Sequence, residues 1–200
     1  MNSDDSRPHD QLSPRRGVVR GEEADDTEVV RQVRSGDVES FEILVRRYER
    51  PVYNAVRRVV RDPEDAKDLA QNVFLKAFDR LDSFDPRYRF FSWIYRIAVH
   101  EALNHVRGAV RLESIEGERA ATGPGPAERL EAVEGGRHLE VAMSRLTPDH
   151  RAVILLRHFG ECSYREIAET LAIPEKTVRS RLYDARRSLR SILTDLGANR

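Results

Sequence analysis

The 200-residue sequence contains one cysteine, Cys162, so no internal disulfide can form and no paired thiols are at hand to hold a metal. That excludes a disulfide-built scaffold and fits a reducing cytoplasm, with Cys162 expected as a buried structural thiol in preference to a redox sensor. Apolar runs of the roughly 18–20 residues needed to cross a bilayer are missing, as is the hydrophobic region of a signal peptide. The expectation is a soluble, cytoplasmic chain with no direct membrane insertion. Lysine is scarce too: three lysines leave arginine to supply the rest of 34 basic side chains, a hint of a GC-rich coding genome that says nothing of function. Net charge is absent, since 34 acidic residues balance the 34 basic ones, and a whole-chain value of this kind conceals any local footprint.

Dividing the chain restores the signal. Residues 1–28 carry 4 basic and 8 acidic side chains, 29–107 carry 15 and 12, 108–141 carry 4 and 7, and 142–200 carry 11 and 7, so the net charge alternates −4, +3, −3, +4. Two mildly basic, hydrophobically patterned blocks are thus preceded by an acidic tail and joined by an acidic linker, as expected of two domains sharing a polyanionic partner. Ordinary mixed-sign surfaces give similar numbers, so the motifs must decide. With 40% hydrophobic residues, either one medium domain or two small ones can bury a core.

The first twenty-eight residues mix Pro8, Pro14 and Gly17 with many aspartates and few large apolar groups. Such a composition cannot offset the entropy of ordering, so a disordered tail is expected, with its boundary at residue 25. From Val38 onward, apolar residues at 38, 41, 45, 48, 52, 56 and 59 describe one buried helical stripe, and Pro51 is expected to kink or divide that helix. Asp62 followed by Pro63 supplies an N-cap and a first-turn proline for a second helix, whose apolar positions run from Ala66 through Val73 and Phe78 to Leu81. A third is expected from about Phe90 to Arg107, ending near Gly108. Phe91, Ile94, Ala98, Ala102 and Val106 form its apolar arc, while Arg96, His100, Asn104 and Arg107 form a polar stripe with Trp93 on its line. Such a stripe can meet phosphates through arginine and base edges through His and Asn, and an aromatic at its start can stack on an unpaired base.

Glycine, proline and glutamate dominate residues 108–137, predicting an extended or mobile linker between domains. Thr147 with Pro148 then opens a helix through about His158, and Ser163 with Glu166 has the spacing of a capping box. The segment that follows reads as a helix from Tyr164 to Leu171, a turn at Ala172 and Ile173, and a longer helix entered through Pro174. At about 100° per residue, Val178, Leu182, Ala185 and Leu189 share one face. Lys176, Ser180, Tyr183 and Arg187 lie opposite, flanked by Arg179 and Arg190. A helix of this width enters the DNA major groove, where cationic side chains donate to guanine or neutralise phosphate. Arg179, Ser180 and Tyr183 are the base-facing candidates. The fold class expected is all-α, two small helical domains with no strand.

The segment LTPDHRAVILLRHFGECSYREIAETLAIPEKTVRSRLYDARRSL closely resembles the fourth domain of extracytoplasmic-function sigma factors of the sigma-70 family. In the first block, EDAKDLAQNVFLKAF resembles that family's polymerase-binding helix and FFSWIYRIAVHEALNHVR its −10-reading helix. The resemblance implies a sigma domain 2 over residues 26–107, a flexible acidic linker over 108–136 and a sigma domain 4 over 137–196. It further implies a transcription initiation factor that is not an enzyme and needs no cofactor, with core RNA polymerase, promoter DNA and an anti-sigma factor as partners. The polymerase contact would fall on Asp65, Asp68, Leu69, Gln71 and Asn72, and the −10 contact on Tyr88, Trp93, Arg96, His100, Asn104 and Arg107. Lys176, Thr177, Arg179, Ser180, Tyr183 and Arg187 would read the −35 element. Members of the family commonly carry Asn and Asp where this sequence has His100 and Asn104, which leaves the −10 base preference open.

Two other classes are weighed. A zinc hydrolase is suggested by HEALNH, yet His100 and His105 are five apart where the metalloprotease motif needs four, and they diverge by about 140° around a helix. A stand-alone helix-turn-helix regulator shares the C-terminal pattern and differs in binding its site without polymerase. The acidic linker, through Glu113, Glu116 and Glu118, is open to two readings: a competitor for a cationic polymerase channel, or a solubilising spacer.

Overall fold

The computed structural model describes residues 25–116 and 134–197. The tail up to residue 24 and the Gly123–Pro126 part of the linker, together with Glu118, lie outside the described residues. Every regular element within them is helical: α1 (Asp26–Arg34), α2 (Phe41–Arg57), α3 (Pro63–Asp79), α4 (Phe90–Glu116), α5 (Glu134–Ser144), α6 (Pro148–Ile154), α7 (Tyr164–Leu171) and α8 (Glu175–Asp195).

The first four helices form an N-terminal bundle. Helix α1 starts directly after the tail boundary expected at residue 25 and takes in residues 26–28, which composition alone reads as disordered: Asp25 caps it by accepting from the Thr27 amide, and Val29, Val30 and Val33 are buried. The acidic composition around it conceals this short apolar face. Arg47 and Tyr48 of α2 both bond Asp26, and Arg34 donates to the carbonyls of Leu81 and Phe84, so both ends of α1 are tied to the bundle. Pro51 does not divide α2, which runs unbroken from Phe41 to Arg57; the proline removes only the hydrogen bond to the Arg47 carbonyl. Val38 is 56% exposed and leaves the stripe assigned to it, while Leu44 is fully buried in its place. The cap at Asp62 forms as expected, accepting from the amides of Glu64 and Asp65. Helix α4 passes through Gly108 to Glu116, so that glycine does not act as a terminator; in mid-helix it costs only about 1 kcal/mol relative to alanine.

The remaining helices form the C-terminal block. Helix α5 starts at Glu134 and includes Gly135 and Gly136, which shortens the expected linker at both ends. Thr147 caps α6, whose last turn widens into a π-helical turn over Leu155–Phe159. The two blocks are not held apart. One continuous cluster of buried side chains runs from Val29 in α1 to Ala185 in α8. At the seam, Arg151 is 4% exposed and donates to the carbonyls of Arg58 and Val59 beyond the end of α2, and to those of Ser144 and Leu146 near the end of α5. One guanidinium therefore serves the C-terminal carbonyls of a helix from each block, where helix dipoles favour positive charge.

Candidate nucleic-acid and polymerase interfaces

The α7–turn–α8 geometry follows from its local chemistry. Ser163 and Glu166 complete the capping box, with Ser163 N donating to Glu166 Oε2 at 2.8 Å and Glu166 N donating to Ser163 Oγ at 3.3 Å. The turn is made by Ala172 in the left-handed region, φ 52°, and closed by the Ile173 amide on the Ala168 carbonyl at 3.1 Å. Pro174 then sets the start of α8. Burial of Val178, Leu182 and Ala185 fixes the rotation of that helix. Lys176, Arg179, Ser180, Tyr183 and Arg187 consequently project outward, and Thr177 is half-buried at the first turn. Tyr183 is 67% exposed, with the Arg187 guanidinium over its ring. Two groups missed from sequence complete this surface: Tyr164, on whose ring Arg179 and Arg157 both stack at 5.2 Å, and Arg186, which donates to His158. Burial, followed by the charges of Arg186 and Arg157, lowers the pKa of His158, so its ring stays a neutral acceptor.

On α4 the predicted stripe is divided in its surroundings. His100 and Asn104 are accessible and bond one another, Asn104 Nδ2 lying 3.2 Å from His100 Nδ1. Arg96 and Arg107 instead reach into the C-terminal block, Arg96 Nε donating to Thr170 Oγ1 at 2.8 Å and Arg107 Nη2 to Asp149 Oδ1 at 2.9 Å. Trp93 is half-buried against Phe84 and Phe90, with ring centroids 5.5 and 5.4 Å away. Tyr88, 56% exposed in the preceding loop, is the freer aromatic for stacking on a base. In that loop Arg87 pairs with Asp85 and holds its carboxyl below the usual carboxylate range.

On α3, Asp68, Gln71 and Asn72 are exposed, Asp65 faces His105 at 3.2 Å, and Leu69 is half-buried. The same line continues into Leu75, 64% exposed, and Phe78, 37% exposed. Sequence reasoning placed Phe78 on the buried stripe and passed over Leu75. The signal available was Leu75 itself, an apolar residue off the 66–70–73–77 face. The resulting surface is polar at its N-terminal end and apolar at its C-terminal end, suited to packing against another protein. Among the described residues, no group of three or more His, Cys, Asp or Glu side chains is placed to hold a metal, and no helix is long and apolar enough to cross a membrane.

Comparison with known proteins gives a consistent set of relatives. Residues 44–112 match the family described as Sigma-70 region 2, and residues 137–189 the family described as Sigma-70, region 4. The chain is 33% identical over 185 residues to the RNA polymerase sigma-H factor of Pseudomonas aeruginosa, covering 86% of this chain and 95% of that one. It is 30% identical over 179 residues to the ECF RNA polymerase sigma factor SigW of Bacillus subtilis, covering 84% and 96%. Among solved structures, CnrH in complex with the cytosolic domain of CnrY superposes with a TM-score of 0.57 at 26% identity, over 85% of this chain and 97% of CnrH.

Proposed function

This chain belongs to the extracytoplasmic-function sigma factors of the sigma-70 family, and on that premise we propose that it binds core RNA polymerase and directs promoter-specific transcription initiation. Residues 26–107 act as domain 2 and 137–196 as domain 4, with α4 and α5 extending those boundaries into the linker. The exposed face of α3, Asp68, Gln71 and Asn72 continued by Leu75 and Phe78, docks on the polymerase. His100, Asn104, Arg96 and Arg107 of α4 engage the −10 element with Tyr88 and Trp93, and the outer face of α8 reads the −35 element. The chain supplies recognition and melting in the cytoplasm, and the polymerase supplies the chemistry. An anti-sigma factor is the third proposed partner, in keeping with the capture of CnrH together with CnrY. The observation that supports the reading best is the joint presence, on one chain, of an unpartnered α3 face and a cationic α8 face fixed by a complete helix-turn-helix.

The test is to mix the purified chain with sigma-free core polymerase and genomic DNA fragments and to sequence the run-off transcripts against core alone. Discrete new start sites are expected, and aligned upstream sequences give both promoter elements. A base contact is worth about 1–3 kcal/mol, so Arg179→Ala should weaken initiation through the −35 element by about 5- to 150-fold. Asn104→Ala should act through the −10 element instead. A chain that core does not bind, and that footprints a repeated or palindromic site alone, is a stand-alone regulator and not a sigma factor.

A further inference from the structure

Arg179 stands one turn into α8, the part of a recognition helix that meets base edges. Its side chain is 66% exposed, and its ion pair with Glu175 spans 3.9 Å, a surface contact of the kind that contributes little. Among the described residues no hydrogen bond fixes its guanidinium. The contact that does restrain it comes from the other helix. The guanidinium carbon lies 5.2 Å from the centroid of the Tyr164 ring, within the roughly 6 Å over which the ring quadrupole attracts a cation. Tyr164 is itself fixed: it is the first residue of α7, directly after the Ser163 cap, and its half-buried side chain packs against the core. The guanidinium of Arg157 lies over the same ring at 5.2 Å and is anchored by donating to the Cys162 carbonyl at 2.9 Å. Tyr183 and Arg187 make no equivalent platform, because that ring is 67% exposed and belongs to the same helix as the arginine over it.

We infer that Tyr164 is a positioning residue for −35 readout: its ring holds the Arg179 guanidinium in place, so that discrimination at the base pair Arg179 reads depends on a side chain of α7. The inference rests on the proposed −35 role of α8. A contact through the π face of the ring leaves guanidinium N–H groups free to donate to guanine O6 and N7, donors that a close carboxylate partner would occupy. Ordering the side chain before DNA arrives removes an entropy loss otherwise suffered on binding. A guanidinium held in one place also fits one base edge and fits the others worse, which is what discrimination requires. Removing the ring releases Arg179 without removing its charge. Attraction to phosphate is therefore kept while the preference between bases falls, an outcome that separates positioning from a plain loss of affinity.

The test is transcription by core polymerase with the full chain, from a promoter found by run-off sequencing and its complete set of single-base −35 substitutions, each template carrying a transcribed barcode. Arg179→Ala marks the base pair that Arg179 reads as the position where preference is lost. Tyr164→Leu is expected to lower the preference at that position by about 3- to 10-fold, to leave the other −35 positions unchanged, and to add nothing further in the Arg179→Ala background. Tyr164→Phe keeps the ring and should retain the preference. Because preference is a ratio between templates in one tube, a smaller folded fraction cancels from it, and Tyr164→Met replaces a Tyr164→Leu chain that does not fold. The inference is overturned if the ring-less variant leaves the preference at that position unchanged or lowers it equally at every position. It is overturned too if Tyr164→Phe behaves like Tyr164→Leu, since the hydroxyl and not the ring is then the acting group. A chain that starts no transcription with core overturns the sigma-factor reading and the inference together; an Arg179 effect without a Tyr164 effect overturns the inference alone.

Discussion

Arg151 illustrates what a sequence conceals at the scale of one residue. In the string Thr147–Pro148–Asp149–His150–Arg151 it reads as a solvated side chain of a capped helix, because its partners are main-chain carbonyls, two of them 92 and 93 residues away, and carbonyls leave no mark on sequence. Burial pulls its pKa down to about 10, still well above neutrality, so the buried group is a cation held by four carbonyl oxygens. Replacing it with methionine keeps much of the volume and strands those acceptors, so Arg151→Met should lower stability by about 3 kcal/mol in urea denaturation. Cys162 was the opposite case, since a lone cysteine between Glu161 and Ser163 reads as buried and is 0% exposed. Burial, with the nearby Glu166 charge, raises its thiol to about 12. It should therefore react with a disulfide reagent at pH 8 only on unfolding. Because its folded value is raised, its contribution to stability is complete below about pH 9 and is lost as pH rises toward 12. The melting temperature of Cys162→Ala should accordingly fall less between pH 9 and 11 than that of the unmutated chain.

At the scale of the element, legibility follows how local the determinants are. The caps at Asp62, Thr147 and Ser163 and the helix Tyr164–Leu171 match expectation, because each depends on side chains within three or four residues. The existence of α1, for which no helix was expected ahead of Val38, and the passage of α4 through Gly108 do not, because packing of Val29, Val30 and Val33 and a long helix beyond the bundle outweigh a weak local signal. The candidate surfaces divide in the same way: the outer face of α8 is fixed by its own apolar period, whereas the occupation of Arg96 and Arg107 depends on a distant block. The turn between α7 and α8 offers an element-level test. Ala172 holds φ 52°, where an L-residue with a Cβ costs roughly 1–2 kcal/mol. Glycine relieves that strain at some cost in unfolded-chain entropy. Ala172→Gly should therefore stabilise the chain by about 0.5–1 kcal/mol in chemical denaturation, with the helix-turn-helix geometry intact.

For the whole molecule, charge alternation along the chain correctly separates two helical blocks, but it cannot say whether they touch. The seam is built from residues that look ordinary in sequence: Tyr95 next to Ile94 of the apolar arc, Arg58 at a helix end, and Gly160, which follows a π-helical turn in the structure. A single buried cluster through both blocks implies cooperative unfolding, since neither half can open without exposing the other's apolar surface. Gly160 is where this coupling is most sensitive. It holds no positive φ, but a Cβ there would lie 2.9 Å from Tyr95 Cδ1 on α4, 3.0 Å from the Leu156 carbonyl oxygen and 3.3 Å from Cys162 Sγ. Main chain on one side leaves the Tyr95 ring as the part that must yield, so Gly160→Ala forces the blocks apart in addition to straining the turn. Overpacking of this kind costs about 1–3 kcal/mol. Calorimetry of the unmutated chain should give one transition with calorimetric and van't Hoff enthalpies equal, and Gly160→Ala should lower its midpoint and drop the van't Hoff value below the calorimetric one as the blocks begin to melt separately. Equal enthalpies in both proteins would mean that the coupling is carried by Arg151 and its carbonyls, and Arg151→Met would then be the substitution that splits the transition.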